Sequence, residues 1–448
     1  MHILLTGANG FIGSALAAAL LARGHTLVCP RRGSTVAGPS ASQADARVRT
    51  FPLDFADRPP PQAWRAALQD VDVVVNTVGI LRERGTQTFS ALHVDAPIAL
   101  FDACVLAGVR RVIQVSALGA DDGARSAYHL SKRSADAYLM RLPIDSVVVQ
   151  PSLVYGPGGA SASLFDALAS LPVLALPGGG RQQIQPVYLD DAIDAIVALI
   201  EWPASSRPPD SQVVPLVGPQ AVSLRDYLAT LRRAMQFTPG APVLPLPVSL
   251  LKGVAKLAGR WPGSLFDADT LEMLERGNVG DPAPITHLLG RAPRGADRFI
   301  AFPDAPAVRL RSSLNWPLPC LRIAIALVWI WTGIVSFGLY PEAESLALLA
   351  RLGAHGDFAR VLLYGAALLD LVLGVLIFTL RGGKRQALWL AQFALIAFYT
   401  VAITIWLPEF WLHPYGPILK NLPMLAALLL LYQLEDTPTH QGATRWTI

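Results

Sequence analysis

Through the first 150 residues, short apolar runs alternate with longer segments in which apolar positions recur at helical spacing. Residues 2–6, 26–30, 48–53, 71–76, 111–116 and 146–150 read as buried strands; residues 11–23, 62–69, 91–107 and 128–141 read as helices. Valine-rich strands separated by helices predict a parallel sheet covered on both faces, which is a doubly wound Rossmann α/β fold. After Pro151 the pattern loosens. Gly156-Pro157-Gly158-Gly159, Pro177-Gly178-Gly179-Gly180 and the proline-rich stretches 203–209 and 242–247 mark loops rather than a continuing sheet. Short helices expected at 190–201, 224–235 and 249–257 fit a small substrate-covering lobe.

From Leu321 the periodicity gives way to long apolar stretches. Residues 321–340, 358–380, 387–407 and 418–434 are each of a length to cross a hydrocarbon core of ~30 Å. The second carries Asp370, and the fourth carries Lys420, Asn421 and Pro423 near its start. The chain thus divides into the doubly wound domain at 1–150 and further elements with the lobe at 151–310. A linker at 311–320, an all-α four-helix transmembrane bundle at 321–435 and a tail at 436–448 complete it. Arg291, Arg294, Arg298, Arg309 and Arg311 mark residues 292–319 as the approach to the membrane. Arg381, Lys384 and Arg385 lie between the second and third segments, and the positive-inside rule places them in the cytoplasm. Four crossings put the N-terminal domain and the C-terminal tail on that same side. The first strand begins at the second residue, so no signal peptide is expected.

Composition agrees with a membrane portion: 52% of residues are hydrophobic, only 16% are charged, and mean hydropathy is +0.40. Net charge is +4, but Arg and Lys are scattered without a basic stripe interleaved with aromatics, which argues against nucleic-acid binding. Cys29, Cys104 and Cys320 stand far apart, so neither a disulfide framework nor a metal site is expected.

The chemistry starts at Thr6-Gly7-Ala8-Asn9-Gly10-Phe11-Ile12-Gly13, which joins the first strand to the first helix. Gly7 permits a tight bend, Gly10 lets backbone N–H groups approach a pyrophosphate, and Gly13 lets the helix pack closely on the strand. The helix N-terminus adds positive potential. At the end of the second strand, where an acid would hold a ribose 2'-hydroxyl, Arg31 and Arg32 suit a 2'-phosphate. NADP is therefore the preferred cofactor, with NAD as the alternative. Asp54 is placed to meet the adenine, and Asn76, Thr77, Val78 and Gly79 to line the ribose side. Tyr128 and Lys132 are four residues apart on an expected helix and share a face. The ammonium is expected to lower the phenol pKa, so that Tyr128 exchanges a proton with substrate while Lys132 holds the ribose. Ser116, at a strand end, is placed to hydrogen-bond the substrate oxygen.

These motifs, with Gln150-Pro151-Ser152-Leu153-Val154-Tyr155-Gly156-Pro157, resemble the extended or atypical short-chain dehydrogenases/reductases over roughly residues 1–300. Residues 73–80 and 185–191 are similar to the NAD(P)-dependent epimerase/dehydratase branch that includes the nucleotide-binding accessory subunit of respiratory complex I. The resemblance implies cofactor binding, and in some members binding without known turnover. Trp329-Ile330-Trp331-Thr332-Gly333, residues 369–374 and residues 413–423 resemble DoxX-like four-helix membrane domains, which implies a redox-linked membrane protein. Asp370 in mid-segment is a functional candidate by cost alone. Otherwise Lys420, Glu409 and His413 satisfy it and hold the bundle together; a direct pair with Lys420 needs a kink near Pro414 and Pro423. Three functions fit: a membrane-anchored oxidoreductase or epimerase acting on a carbonyl or alcohol, with a small, lipidic or quinone-like substrate; an NADP-binding sensor or assembly factor for a membrane complex; and a bundle with its own quinone or lipid role.

Overall fold

Six short runs form the expected parallel strands in the computed structural model: β1 (His2–Thr6), β2 (Thr26–Arg31), β3 (Val48–Pro52), β4 (Val73–Asn76), β5 (Arg111–Val115) and β6 (Asp145–Pro151). The structure describes residues 1–32, 45–203, 212–238, 240–247, 249, 251, 253, 268–414 and 416–435. The tail 436–448 and most of the helix expected at 249–257 lie outside the described residues. Past Pro151 come β7 (Val154–Tyr155), β8 (Leu174–Pro177), β9 (Gln183–Ile184), β10 (Val187–Tyr188), β11 (Val213–Leu216), β12 (Val222–Ser223) and β13 (Val243–Leu246). Six of these pair as short ribbons, β7 with β10, β8 with β13 and β9 with β12. The seventh, β11, returns to the main sheet beside β6, so the sheet does continue past Pro151, contrary to the loop reading. Its Pro215 is tolerated because β11 is an edge strand.

The sheet order is β11-β6-β5-β4-β1-β2-β3, with every pair parallel. Strand order reverses between β1 and β4, and in open α/β sheets that point is where ligands bind, beyond the strands' C-terminal ends. Helices cover both faces. α1 (Phe11–Ala22) buries Leu16, Ala17 and Leu20 on one face, while α2 (Ala96–Ala107) and α3 (Ala127–Leu139) bury Leu100, Phe101, Ala135 and Leu139 on the other. The helix expected at 62–69 is only a 3-10 turn, Pro61–Trp64, pinned by a fully buried Trp64 edge-on to Phe55 at 5.5 Å. Ahead of α2 the backbone makes a π-helical turn at Ser90–Asp95. Such turns re-aim side chains, here His93.

The lobe packs α4 (Ala160–Ser170) and α6 (Leu224–Ala234) around Tyr155, Tyr227, Phe299 and Ile300, while α5 (Leu189–Glu201) joins α1 on the sheet. Residues 291–312 belong to this unit rather than to an approach to the membrane. Arg291 donates to the fully buried Asp191 at 2.6 Å, the Arg294 N–H donates to its other oxygen at 2.6 Å, and the Arg294 guanidinium lies 3.9 Å over Tyr188. The chain divides into two compact units after Ser312. In place of a linker at 311–320, helix Ala305–Leu314 is followed almost at once by helix Pro317–Ile334.

The second unit contains helices Pro317–Ile334, Glu342–Arg351, Gly356–Thr379, Gly383–Trp406 and Asn421–Leu434. The Pro317, Gly356 and Gly383 helices lie in stretches long and apolar enough to cross a membrane. Helix Ser90–Ala107 is also long and apolar enough, though less apolar than these three, and it lies in the α/β core. Asn421–Leu434 has 14 residues, or roughly 21 Å, and starts later than the segment expected at 418. Two glycines bring the first two long helices together. A Cβ on Gly333 would lie 2.8 Å from Ala367 O, and one on Gly374 would lie 2.6 Å from Ile330 Cγ1. Small residues at such crossings let helices approach in an apolar solvent. Asp370 is buried, whereas His413 and Lys420 are exposed. No hydrogen bond or ion pair joins Asp370 to either among the described residues, and Glu409 pairs with Arg351 at 2.5 Å. These groups therefore do not satisfy one another. Glu435 instead gathers Arg385 at 2.5 Å, Arg322 at 3.1 Å and Trp389 Nε1 at 3.2 Å.

Candidate active site

The glycine turn fits a dinucleotide by the test of what a side chain would strike. Gly7 has φ of 74°, and a Cβ there would sit 2.6 Å from Thr77 Oγ1. A Cβ on Gly13 would sit 2.1 Å from Gly7 O, so Gly13 seats the helix on the turn itself rather than on the strand. Gly10 N donates to Gly7 O at 2.8 Å and begins α1 without a side-chain cap; no acid occupies the first turn. The orphan N–H groups of that turn are thus free for an anion. Phe11 and Ile12 pack on the core instead of facing the cleft, and a Cβ on Gly159 would lie 2.9 Å from the Phe11 ring, which accounts for a glycine there. Thr6 is also buried. It donates to Asn76 Oδ1 at 2.5 Å, and Asn76 in turn donates to Gln114 Oε1 at 2.8 Å, tying the ends of β1, β4 and β5 together beneath the turn.

A cleft of about 220 Å³ gathers Gly7, Asn9, Gly10, Arg32, Asp54, Thr77, Val78 and Gly79. Arg31 is not among the lining residues and ends β2 half-buried. Asp54 uses Oδ1 to accept from Ala56 N at 2.9 Å and cap the following turn. A larger cleft of about 360 Å³ lies in the lobe between Pro186, Arg233 and Asp297 and contains none of the expected site residues.

Ser126 caps α3 by accepting from His129 N at 3.2 Å, and Tyr128, Lys132 and Asp136 follow on one face at successive four-residue steps. Lys132 is buried, and its Nζ donates to Val78 O and Val115 O, both at 3.1 Å. It thereby joins the carbonyls just past β4 and at the end of β5. Ser116 donates its hydroxyl proton to Asp136, so as the protein stands that serine faces the helix carboxylate. Burial holds the Lys132 ammonium down at about 8 and lifts the Asp136 carboxyl to about 6. Tyr128 is pushed up to about 12 by burial and by the negative charge of Asp136. That is the reverse of the expected lowering. Desolvation of the phenolate outweighs the benefit of a neighbouring ammonium that is itself disfavoured by burial.

His93 escaped the sequence reading because it stands in an apolar helical run. It is fully buried and accepts from Ile80 N at Nε2, 2.9 Å, which puts its proton on Nδ1 facing Ser131 Oγ at 2.9 Å. Ser131 Oγ lies 2.7 Å from Tyr128 O and donates to it. Burial and the charge of Lys132 push the imidazole down to about 3, so it stays neutral. Its ring stacks on Phe89 at 5.2 Å and meets Tyr128 edge-on at 5.6 Å. His93 therefore ties the cleft loop to the helix that carries Tyr128 and Lys132. Asp136 was readable by spacing, one helical step beyond Lys132.

Residues 3–214 match the model of the NAD dependent epimerase/dehydratase family, and residues 326–429 match that of the DoxX-like family. Over 247 residues the chain is 27% identical to NADH dehydrogenase (ubiquinone) 1 alpha subcomplex subunit 9, mitochondrial, of Arabidopsis thaliana, covering 54% of this chain and 60% of that protein. It is 26% identical over 249 residues to dihydroflavonol 4-reductase of Zea mays, covering 46% of this chain and 68% of the reductase. Among solved structures, a nucleoside-diphosphate-sugar epimerase from Staphylococcus aureus aligns with TM-score 0.54 at 16% identity, over 67% of this chain and 99% of that one. The Bordetella bronchiseptica enzyme WbmG in complex with NAD and UDP aligns with TM-score 0.50 at 16% identity, over 70% of this chain and 96% of that one. At these identities the structural likeness shows the fold. The chain thus joins an NAD dependent epimerase/dehydratase family domain, of a kind that binds NAD(P), to a DoxX-like domain at its C-terminal end.

Proposed function

We propose that the N-terminal unit is an NADP-dependent oxidoreductase or epimerase acting on a carbonyl or alcohol, held at the cytoplasmic face of a membrane by the DoxX-like bundle. The observation that carries this reading is the α3 face, where Tyr128 stands one step from Lys132 and Lys132 Nζ is fixed against Val78 O at the edge of the glycine-turn cleft. Gly7, Gly10 and the first turn of α1 are the residues that would hold the pyrophosphate. Bound there, a nicotinamide supplies or accepts the hydride. Tyr128, its proton retained through neutral pH, gives that proton to the carbonyl oxygen as the carbon is reduced; in the reverse direction it takes the proton from the hydroxyl. Lys132 stays an ammonium below about 8 and favours the phenolate once it forms. Asp136 acts through Ser116 and Lys132 and keeps both oriented.

Arg32 supports NADP over NAD, since it lines the cleft beside Asp54, whose carboxylate is committed to Ala56 N. A charge-assisted bond to the 2'-phosphate contributes about 1.5–3 kcal/mol. Arg32→Ala should therefore weaken NADP binding by roughly 10-fold or more and leave NAD binding unchanged. Titration of both cofactors checks this, and tighter NAD than NADP binding by the unaltered protein overturns the assignment.

Large apolar side chains facing outward support the membrane anchor: Trp331, Phe358, Val361, Phe378, Phe398 and Ile405 are 56–68% exposed. Arg322 near the start of the first long helix, Arg385 at the start of the third and Glu435 after the last meet at one end, as an up-down-up-down path requires. Arg381 and Lys384 share that end of the sequence loop and favour a cytoplasmic position for it. Protease should release the N-terminal unit from inverted vesicles and spare it in intact cells; the opposite pattern reverses the orientation. A membrane address favours a lipidic substrate. A second reading, a cofactor-binding sensor or assembly factor of a membrane complex, is supported by the engagement of Ser116 and Lys132 within the protein. A cofactor that co-purifies and never changes redox state across a broad substrate panel would favour it.

A further inference from the structure

Asp370 lies near the middle of the 24-residue helix Gly356–Thr379, is 8% exposed, and has no hydrogen-bond partner for Oδ1. The charged groups of the bundle sit at its ends. Arg322 and Arg385 are taken by Glu435, while Arg360 pairs with Glu342 at 3.1 Å and Arg351 with Glu409 at 2.5 Å. From the helix Gly383–Trp406, the titratable group facing Asp370 is Tyr399. The crossing helix Pro317–Ile334 presents Trp329 and Ile330 at this level, since Ile330 abuts Gly374 and Gly333 abuts Ala367 and Leu371. Two more side chains of the same core carry unpartnered buried atoms, the donor Trp329 Nε1 and the acceptor Gln392 Oε1. Gln392 is fully buried and reaches Leu373 O at 3.4 Å, one turn along from Asp370.

An ionised carboxylate in this setting pays desolvation with no cation to offset it, whereas a protonated one gains a donor and keeps an acceptor. We propose that Asp370 is an exchangeable proton-binding site inside the bundle, occupied at neutral pH, so that the carboxyl is neutral and the DoxX-like domain has two protonation states of its own. The ligand is a proton, bound by the acid in the middle of helix Gly356–Thr379 and exchanged without any other reactant. The inference rests on the membrane-spanning reading of the bundle and is independent of the reaction assigned to the N-terminal unit.

Dicyclohexylcarbodiimide, which adds the O–H of a protonated carboxyl in apolar surroundings, tests this on the full-length protein in lipid nanodiscs. Asp370 should be modified at neutral pH, mapped by peptide mass, with labelling falling as pH rises and absent in Asp370→Asn. A wild-type infrared spectrum should also show a protonated-carboxyl band that this variant lacks. If the variant fails to assemble, the mapped wild-type label still decides. Absence of both the label and the band at neutral pH overturns the proposal. Alkaline carbonate extraction separates the two ideas: release from membranes defeats the membrane reading itself, while retention with neither label nor band defeats only the proton site.

Discussion

Tyr128→Phe should lower turnover by about 10²–10⁴-fold, the usual contribution of a positioned acid–base group, while NADP affinity stays within about twofold. Of Ser116, Tyr128 and Lys132, the phenol is the group left to exchange a proton with substrate, because Ser116 gives its proton to Asp136 and Lys132 is held by two carbonyls. Removing only the hydroxyl leaves the packing of the ring against Phe89 and His93 intact. The unaltered protein should also lose activity as pH rises through about 8. Lys132 has a folded-state value below its ordinary one because burial disfavours its charge, so its ammonium is present below that value and lost above it. Steady-state rates with NADPH, read beside a binding titration, check both statements; full turnover by the variant would sink the mechanism.

Gly13→Ala should remove cofactor binding and destabilise the N-terminal unit together. The added methyl would lie 2.1 Å from Gly7 O and 2.7 Å from Thr77 Oγ1. The nearer atom is backbone, held by the Gly10 N–H at 2.8 Å, so the turn must shift to make room. Overpacking of this kind costs about 1–3 kcal/mol, and a displaced phosphate loop should cost NADP at least roughly tenfold in affinity. Gly10→Ala provides the contrast. Its methyl would come no nearer than 3.1 Å to Gly7 O, so stability should change little while the pyrophosphate approach is still obstructed. Thermal unfolding and NADPH titration of the two variants distinguish a packing role from a contact role. Unchanged stability and affinity in Gly13→Ala would contradict the close approach of the helix to the turn.

The strands β1 to β6 were legible because they are short β-prone runs bounded by turns and mostly separated by helices, and the turn at Gly7 because it stands between a strand and a helix. β11 was not, since four residues containing a proline carry little pattern and only the sheet edge makes that proline acceptable. The arginines at 291 and 294 look like solvated linker charges in sequence. Their partner, Asp191, lies about a hundred positions earlier, and local spacing carries no trace of it. At the site, the four-residue step placed Tyr128 and Lys132 on one face, but the direction of the Tyr128 shift depends on burial and on Asp136. Ser116 was legible as a strand-end residue, and its turn toward Asp136 is a tertiary choice. In the bundle, Arg322, Arg385 and Glu435 meet from three distant positions, whereas the expected partners of Asp370 remain at the surface.

On our proposal the N-terminal unit uses NADP chemically, through Tyr128. The most direct test incubates the full-length protein in nanodiscs with NADPH and a lipid extract, then quantifies both oxidation states of the nucleotide. The unaltered protein should bind NADPH stoichiometrically and convert it to NADP, whereas Tyr128→Phe should bind it without conversion. Equal conversion by both proteins would contradict it, as would bound NADPH that neither protein ever oxidises.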